Sequence, residues 1–161
     1  MTDFRALIEA LCRSEVRFVL VGGVAATLHG SARLTQDVDV VYARDADNLG
    51  RLARALAPLK PYLRGAPSGL PFRLDEQTLA AGLNFTLTTS AGDIDLLGEI
   101  VGAGGYEALI HNTIDVELFG TRCKCLDLPT LIKAKIAAGR PKDLEAIAEL
   151  RALLEERPPD K

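Results

Sequence analysis

In the stretch Thr35-Gln36-Asp37-Val38-Asp39-Val40-Val41-Tyr42, two aspartates alternate with valines. The valine-rich run has strong β-propensity, and residues two apart on a strand point the same way, so the Asp37 and Asp39 carboxylates crowd one face. Each raises the cost of ionising the other, and the pair calls for a cation. A second strand-like segment, Gly92-Asp93-Ile94-Asp95-Leu96-Leu97, repeats the arrangement with Ile94 and Leu96 on its opposite, apolar face. If the two strands lie side by side, their carboxylates converge, and such a cluster selects a hard cation with oxygen ligands, Mg²⁺ above all. Two such ions held a few Å apart clamp the attacking and leaving oxygens of an in-line phosphoryl displacement. Taken alone, an Asp-x-Asp pair reads first as a solvated edge strand.

Gly22-Gly23 adds to the pattern. The two glycines fall where the apolar run Arg17 to Val21 ends and a short helix-compatible segment, Val24 to His29, begins. Glycines at a strand-to-helix turn let backbone N–H groups approach an anion closely, and the start of a helix favours negative charge. Strand, Gly-Gly, helix, loop and carboxylate strand then form an ordered set suited to a polyphosphate and its metal.

The segment Leu128 to Lys142, LPTLIKAKIAAGRPK, carries a lysine where helical spacing puts an apolar residue. At 100° per residue Leu128, Leu131, Ile132, Ile136 and Ala138 share a face; Lys135 falls inside it, while Lys133 points away. A lysine there either extends its charge to water along its own stem or meets an anion. Between Arg122 and Lys142 there are six basic residues and one acidic one, Asp127, which makes this side electropositive. Arg33, in the loop before Asp37, is placed to reach phosphate oxygens bidentately or to stand as an ordinary exposed loop arginine. Asp143, after the breaker Pro141, reads as the cap of the last helix. His29 and His111 have no visible catalytic partner and read as structural or exposed.

These residues need elements to hold them. Helical spacing predicts helices over Asp3 to Ser14 and over the segment that Asp45 caps, which contains Leu49, Leu52 and Leu56. Shorter helical pieces are expected at Glu76 to Ala81 and Gly104 to Asn112, and longer ones at Pro129 to Ala138 and Pro141 to Glu155. Strands are expected at Arg17 to Val21, Asp37 to Tyr42, Leu83 to Thr89, Asp93 to Leu97, Thr113 to Phe119 and Arg122 to Leu128. Pro58 to Leu74 holds four prolines and two glycines, too many breakers for a regular element. It reads as a long loop, functional or simply a surface excursion. The pattern predicts an α/β (α+β) fold: a mixed β-sheet with helices packed on it, as one domain over residues 1–156 with a frayed tail at 157–161.

Composition sets outer limits. The 161 residues, 48% apolar and 25% charged, suit a soluble globular domain, and a net charge of -3 argues against a general nucleic-acid coat. The three cysteines, Cys12, Cys123 and Cys125, lack zinc spacing to any His or Cys pair and read as free thiols in a reducing cytoplasm. No basic leader with an apolar stretch and no membrane-length run is visible, so a cytoplasmic location with no membrane partner is expected.

The ordered set resembles the nucleotidyltransferase superfamily that includes DNA polymerase β and the aminoglycoside and lincosamide nucleotidyltransferases. The resemblance rests on Val21-Gly22-Gly23, a spacer, Asp37-Val38-Asp39-Val40, and a third acid in Ile94-Asp95-Leu96-Leu97. The fuller run from Gly22 through Leu28, His29, Gly30, Arg33 and Thr35 to Val40, with Arg140-Pro141-Lys142-Asp143, is similar to a small bacterial branch containing abortive-infection toxin nucleotidyltransferases. It spans about residues 16–150. Gly23 stands where many members have Ser, which leaves only backbone N–H groups there, and the spacer is at the long end for the superfamily. The resemblance implies a nucleotidyltransferase-like fold with Asp37, Asp39 and Asp95 as catalytic, metal-binding residues for two Mg²⁺ ions. Gly22, Gly23, Arg33 and Lys135 would bind the NTP, whose α-phosphorus is attacked by the hydroxyl of an RNA, protein or small-molecule acceptor. A non-catalytic nucleotide-binding or antitoxin-like module of the same fold is the alternative. A metal-dependent phosphoesterase fits less well, because it usually adds histidine ligands.

Overall fold

The computed structural model describes residues 1–157. Residues 158–161, most of the expected tail, lie outside the described residues. Arg157, counted with that tail, contacts the His29 ring through its guanidinium.

Four aspartates begin helices. Asp3, Asp45, Asp75 and Asp127 each accept a hydrogen bond from the backbone N–H three residues on, and so cap α1 (Phe4–Arg13), α3 (Ala46–Leu56), α4 (Glu76–Ala81) and α6 (Leu128–Ala138). Each cap stabilises its helix by about 1 kcal/mol relative to alanine. The remaining helices are α2 (Gly22–Leu28), the single turn α5 (Tyr106–Leu109) and α7 (Leu144–Glu155). The aspartates near residues 37 and 93 have no such local role, since they lie inside strands.

Those strands are β2 (Asp37–Tyr42) and β5 (Gly92–Leu97). With β1 (Phe18–Val21), β3 (Tyr62–Leu63), β4 (Phe85–Thr89), β8 (Thr113–Leu118) and β9 (Thr121–Leu126), they build a seven-stranded sheet in the order β3-β4-β5-β2-β1-β9-β8. The short β6 (Glu99–Ile100) and β7 (Gly104–Gly105) pair separately. The sheet is mixed. β2 runs parallel to β5, β1 runs parallel to β9, and the other neighbours are antiparallel. This is the mixed sheet with packed helices that the sequence pattern predicts.

Val38, Val40, Ile94 and Leu96 are all at 0% exposure, with α1, α3 and the sheet contributing to the same core. Burying such a side chain contributes about 1.5–3 kcal/mol. A slip of one residue between β2 and β5 would turn one strand's apolar pair outward and its aspartates into the core, so the hydrophobic alternation also fixes the register of the acids. In that register Asp37 lies opposite Asp93 and Asp39 opposite Asp95. The core therefore places the carboxylates.

Three segments differ from the sequence-based expectation. The helix after β1 starts at Gly22 rather than Val24, because the glycines themselves form its first turn. Pro58 to Leu74 is not wholly irregular: a 3₁₀ turn at Ala57–Leu59 leads into β3, which pairs with β4 and closes the sheet edge. Gly104 to Asn112 is likewise divided among β7, α5 and a 3₁₀ turn at Ile110–Asn112.

Candidate active site

Three carboxylates meet at one end of β2 and β5. An oxygen from each of Asp37, Asp39 and Asp95 lies within 4.8 Å of the others. Asp39 also sits opposite Val21 in the β1–β2 pairing, which brings it against the turn into α2. Asp93 shares their face of the strand, but among the described residues it is not one of the three that converge.

Gly22 fits this corner because it has no side chain. Its φ is +65°, and an added Cβ would stand 2.0 Å from Asp39 Oδ2. Both the left-handed backbone and the close approach require glycine. At Gly23 an added Cβ would stand 2.4 Å from Thr35 Oγ1, so any larger residue would require the Thr35 side chain to move; its hydroxyl donates to the Asp37 carbonyl. The seven residues of α2 make a short dipole, so backbone N–H groups matter more here than the helix as a whole.

Burial first, and then the Asp37 and Asp95 charges, push the Asp39 carboxyl up to about 8. Burial and the charges of Asp95 and Asp93 raise Asp37, with Arg64 opposing them. Asp39 Oδ1 is buried and has no hydrogen-bond partner among the described residues. A buried, orphaned carboxylate oxygen beside two other carboxylates fits a hard divalent cation, with oxygen donors of the type Mg²⁺ takes.

Arg64 is the balancing cation that sequence reading missed. Its guanidinium is 2.8 Å from Asp95 Oδ1, 3.4 Å from Asp93 Oδ2 and 3.6 Å from Asp37 Oδ2. It also donates to the Leu87 carbonyl. It follows β3, inside the Pro58 to Leu74 stretch, and reaches the acids only because β3 joins the sheet edge. A cation demanded by Asp37 and Asp39 with no local partner was the available signal.

A cavity of about 350 Å³ opens beside the carboxylates, lined by Gly22, Asp39, Asp95, Leu131, Lys135 and Arg140 among others. That volume is in the range of small-molecule sites. Lys135 is largely buried, with a side chain 20% exposed, and its Nζ is 3.7 Å from Asp143 Oδ1. The anion it meets within the chain is thus Asp143, which also accepts from Arg140 Nε at 2.7 Å. Asp143 precedes α7 but makes no side-chain capping bond, because its carboxylate is held by these two cations. Desolvation opposes that ionised form, while Arg140, Lys135 and Lys142 hold the carboxyl below its ordinary value.

Arg33 turns to α7, 3.2 Å from Glu145 Oε2 and 3.8 Å from Glu149 Oε1. It lines a different cavity, of about 190 Å³, which also includes Gly23, Thr35 and Lys135. His29 is structural: its buried Nε2 lies 2.8 Å from the Leu126 carbonyl.

The strand order, the Gly-Gly turn and the acidic corner together define a nucleotidyltransferase-like fold. The Thermotoga maritima protein TM1012, whose nucleotidyltransferase assignment is itself provisional, superposes with a TM-score of 0.57 at 18% identity, covering 95% of this chain and 91% of that one. The lincosamide antibiotic adenylyltransferase LnuA, bound to lincomycin, superposes with a TM-score of 0.56 at 15% identity, covering 96% and 98%. No protein-family model matches the sequence, and no curated protein does. Among the described residues no helix is long and apolar enough to cross a membrane.

Proposed function

We propose that the chain transfers a nucleoside monophosphate from an NTP to a hydroxyl acceptor, with release of pyrophosphate. The convergence of Asp37, Asp39 and Asp95 against the Gly22 turn carries this reading. The three carboxylates would hold Mg²⁺, two ions in the full complex. When bound, the metal neutralises the triphosphate and lowers the pKa of the acceptor hydroxyl. Gly22 and Gly23, at the start of α2, would offer backbone N–H groups to phosphate oxygens. Lys135, on the cavity wall, exchanges its pairing with Asp143 for a triphosphate oxygen, while Arg140 keeps Asp143 neutralised. Asp95 is the proton acceptor for the attacking hydroxyl. Arg64 orients Asp95 and offsets repulsion among the acids until the substrate arrives.

Arg33 is the weakest member of the proposed nucleotide set, since two glutamates already engage it; it enters only by exchanging them for phosphate. A cleft of about 650 Å³ shares Glu99, Ile100 and Val101 with the carboxylate cavity and is lined by Asn84, Asn112, Thr130 and Lys133. It is the place proposed for the acceptor. LnuA acts on an antibiotic, which favours a small molecule, whereas the motif likeness to abortive-infection toxins favours an RNA or protein hydroxyl and a toxin–antitoxin setting. One domain over residues 1–156 and a cytoplasmic site of action complete the proposal.

Arg64 supports a second reading. A cation built into the acidic corner lets the fold stand without metal, as a non-catalytic nucleotide-binding or antitoxin-like module would need. Pyrophosphate release separates the two. The transferase releases it from an NTP in the presence of Mg²⁺ and cell extract, and Asp37→Ala/Asp39→Ala does not. Binding of Mg²⁺-NTP without release would favour the module.

A further inference from the structure

Away from the acidic corner, α1 and β9 bring together two cysteines 111 positions apart in the chain. Cys12 Sγ and Cys123 Sγ are 3.6 Å from each other. Cys12 is partly exposed near the end of α1, and Cys123 is 4% exposed on β9. Thr121 Oγ1 lies 3.9 Å from Cys123 Sγ, and no third His, Cys or carboxylate joins the two sulfurs in a metal-binding group among the described residues. Two thiols in contact, one reachable from solvent and one behind it, have the layout of an attacking and a resolving sulfur.

We propose that Cys12 and Cys123 form a reversible dithiol–disulfide couple that exchanges with low-molecular-weight disulfides such as oxidised glutathione. In the first step the Cys12 thiolate attacks one sulfur of the disulfide, a mixed disulfide forms on Cys12, and one glutathione thiolate leaves. In the second step Cys123 gives up its proton to solvent and attacks the Cys12 sulfur, expelling the second glutathione thiolate. The two cysteines lose two electrons and two protons, and one oxidised glutathione becomes two reduced ones. Closing the bond requires the sulfurs to approach from 3.6 Å to about 2.05 Å, a shift small enough for side-chain rotation if α1 stays seated on β9.

The electrostatics favour that order. The hydrogen bond shared with Cys123 holds the Cys12 thiol below its ordinary value and raises Cys123, so the reachable sulfur is the one that ionises. Cys125, two positions along β9, is fully buried and pushed up to about 12 by burial and the Asp127 charge. It remains a thiol throughout and serves as an internal control. The bond would tie the N-terminal helix to β9, which runs beside β1, the strand leading into Gly22. This couple is independent of nucleotidyl transfer.

The test uses the whole chain in buffers of rising oxidised-to-reduced glutathione ratio, quenched with an alkylating agent under denaturing conditions and read by intact mass and peptide mapping. The expected result is loss of two of the three alkylatable thiols in a monomer, with a Cys12–Cys123 peptide, a raised urea unfolding midpoint, and full reversal by dithiothreitol. Cys12→Ser should keep two alkylatable thiols and show no midpoint shift. Three alkylatable thiols at the most oxidising ratio, a lasting glutathione adduct on Cys12 without a crosslink, or a crosslink through Cys125 would each overturn the proposal.

Discussion

Asp39→Asn should make the metal-free protein more stable, and increasingly so as pH rises. The Asp39 carboxyl is raised from 3.8 to about 8, so the folded chain keeps a proton that the unfolded chain releases. A group raised in this way contributes stability that is fully present below its unfolded value and is lost as pH climbs through the folded one. At pH 7 the lost contribution is about 4 kcal/mol by direct conversion, and solvent screening and relaxation reduce it to about 1–3 kcal/mol. For a chain of this length that corresponds to roughly 2–12 °C in Tm. Asparagine has the same shape and does not titrate, so the gap between variant and wild type should be small near pH 4, widen toward pH 8 and then level off. Thermal melts in EDTA from pH 4 to 9 measure it. Adding Mg²⁺ should raise the wild-type Tm, most strongly at the alkaline end, and raise the variant less. A variant less stable than wild type at pH 8, or a gap that does not change with pH, would refute the reasoning about burial and repulsion at this site.

Gly22→Ala should cost about 1–2 kcal/mol from its left-handed backbone, and the displaced Asp39 should lower turnover on the order of 100-fold; urea melts and initial rates read the two effects. Arg64→Met should lower metal-free stability by about 2 kcal/mol, since three carboxylates lose their partner, while tightening Mg²⁺ binding in a calorimetric titration. Lys135→Ala should raise KM for NTP about tenfold, as expected for one charge-assisted hydrogen bond. Arg33→Ala, whose pairs with Glu145 and Glu149 are exposed, should change stability by less than about 1 kcal/mol and leave KM unchanged if the arginine only fastens its loop to α7.

The parts of this molecule that were legible in the sequence are those fixed by short-range periodicity. Alternation of aspartate with valine in β2, and with isoleucine and leucine in β5, marked both strands and the face of their acids, and burial of Val38, Val40, Ile94 and Leu96 follows from the same pattern. The caps at Asp45 and the helix carrying Lys135 were visible for the same reason. What was hidden depended on partners far along the chain. Arg64 lies in a Pro- and Gly-rich stretch with no periodicity, and its role appears only when β3 pairs with β4. Asp143 looked like a cap because helix position is local information; its pairing with Lys135 appears only once the chain turns back between α6 and α7, although its other partner, Arg140, is just three residues away. The contact between Cys12 and Cys123 spans most of the chain and has no local signature at all.

The most direct test of nucleotidyl transfer is to incubate the protein with each α-phosphate-labelled NTP, Mg²⁺ and cell extract, and to fractionate the label into RNA, protein and small molecules. Label should enter one fraction with the wild type and not with Asp37→Ala/Asp39→Ala, which would also identify the acceptor class. Equal labelling by wild type and double variant, or none with any NTP, would contradict the assignment of the acidic corner as the catalytic centre.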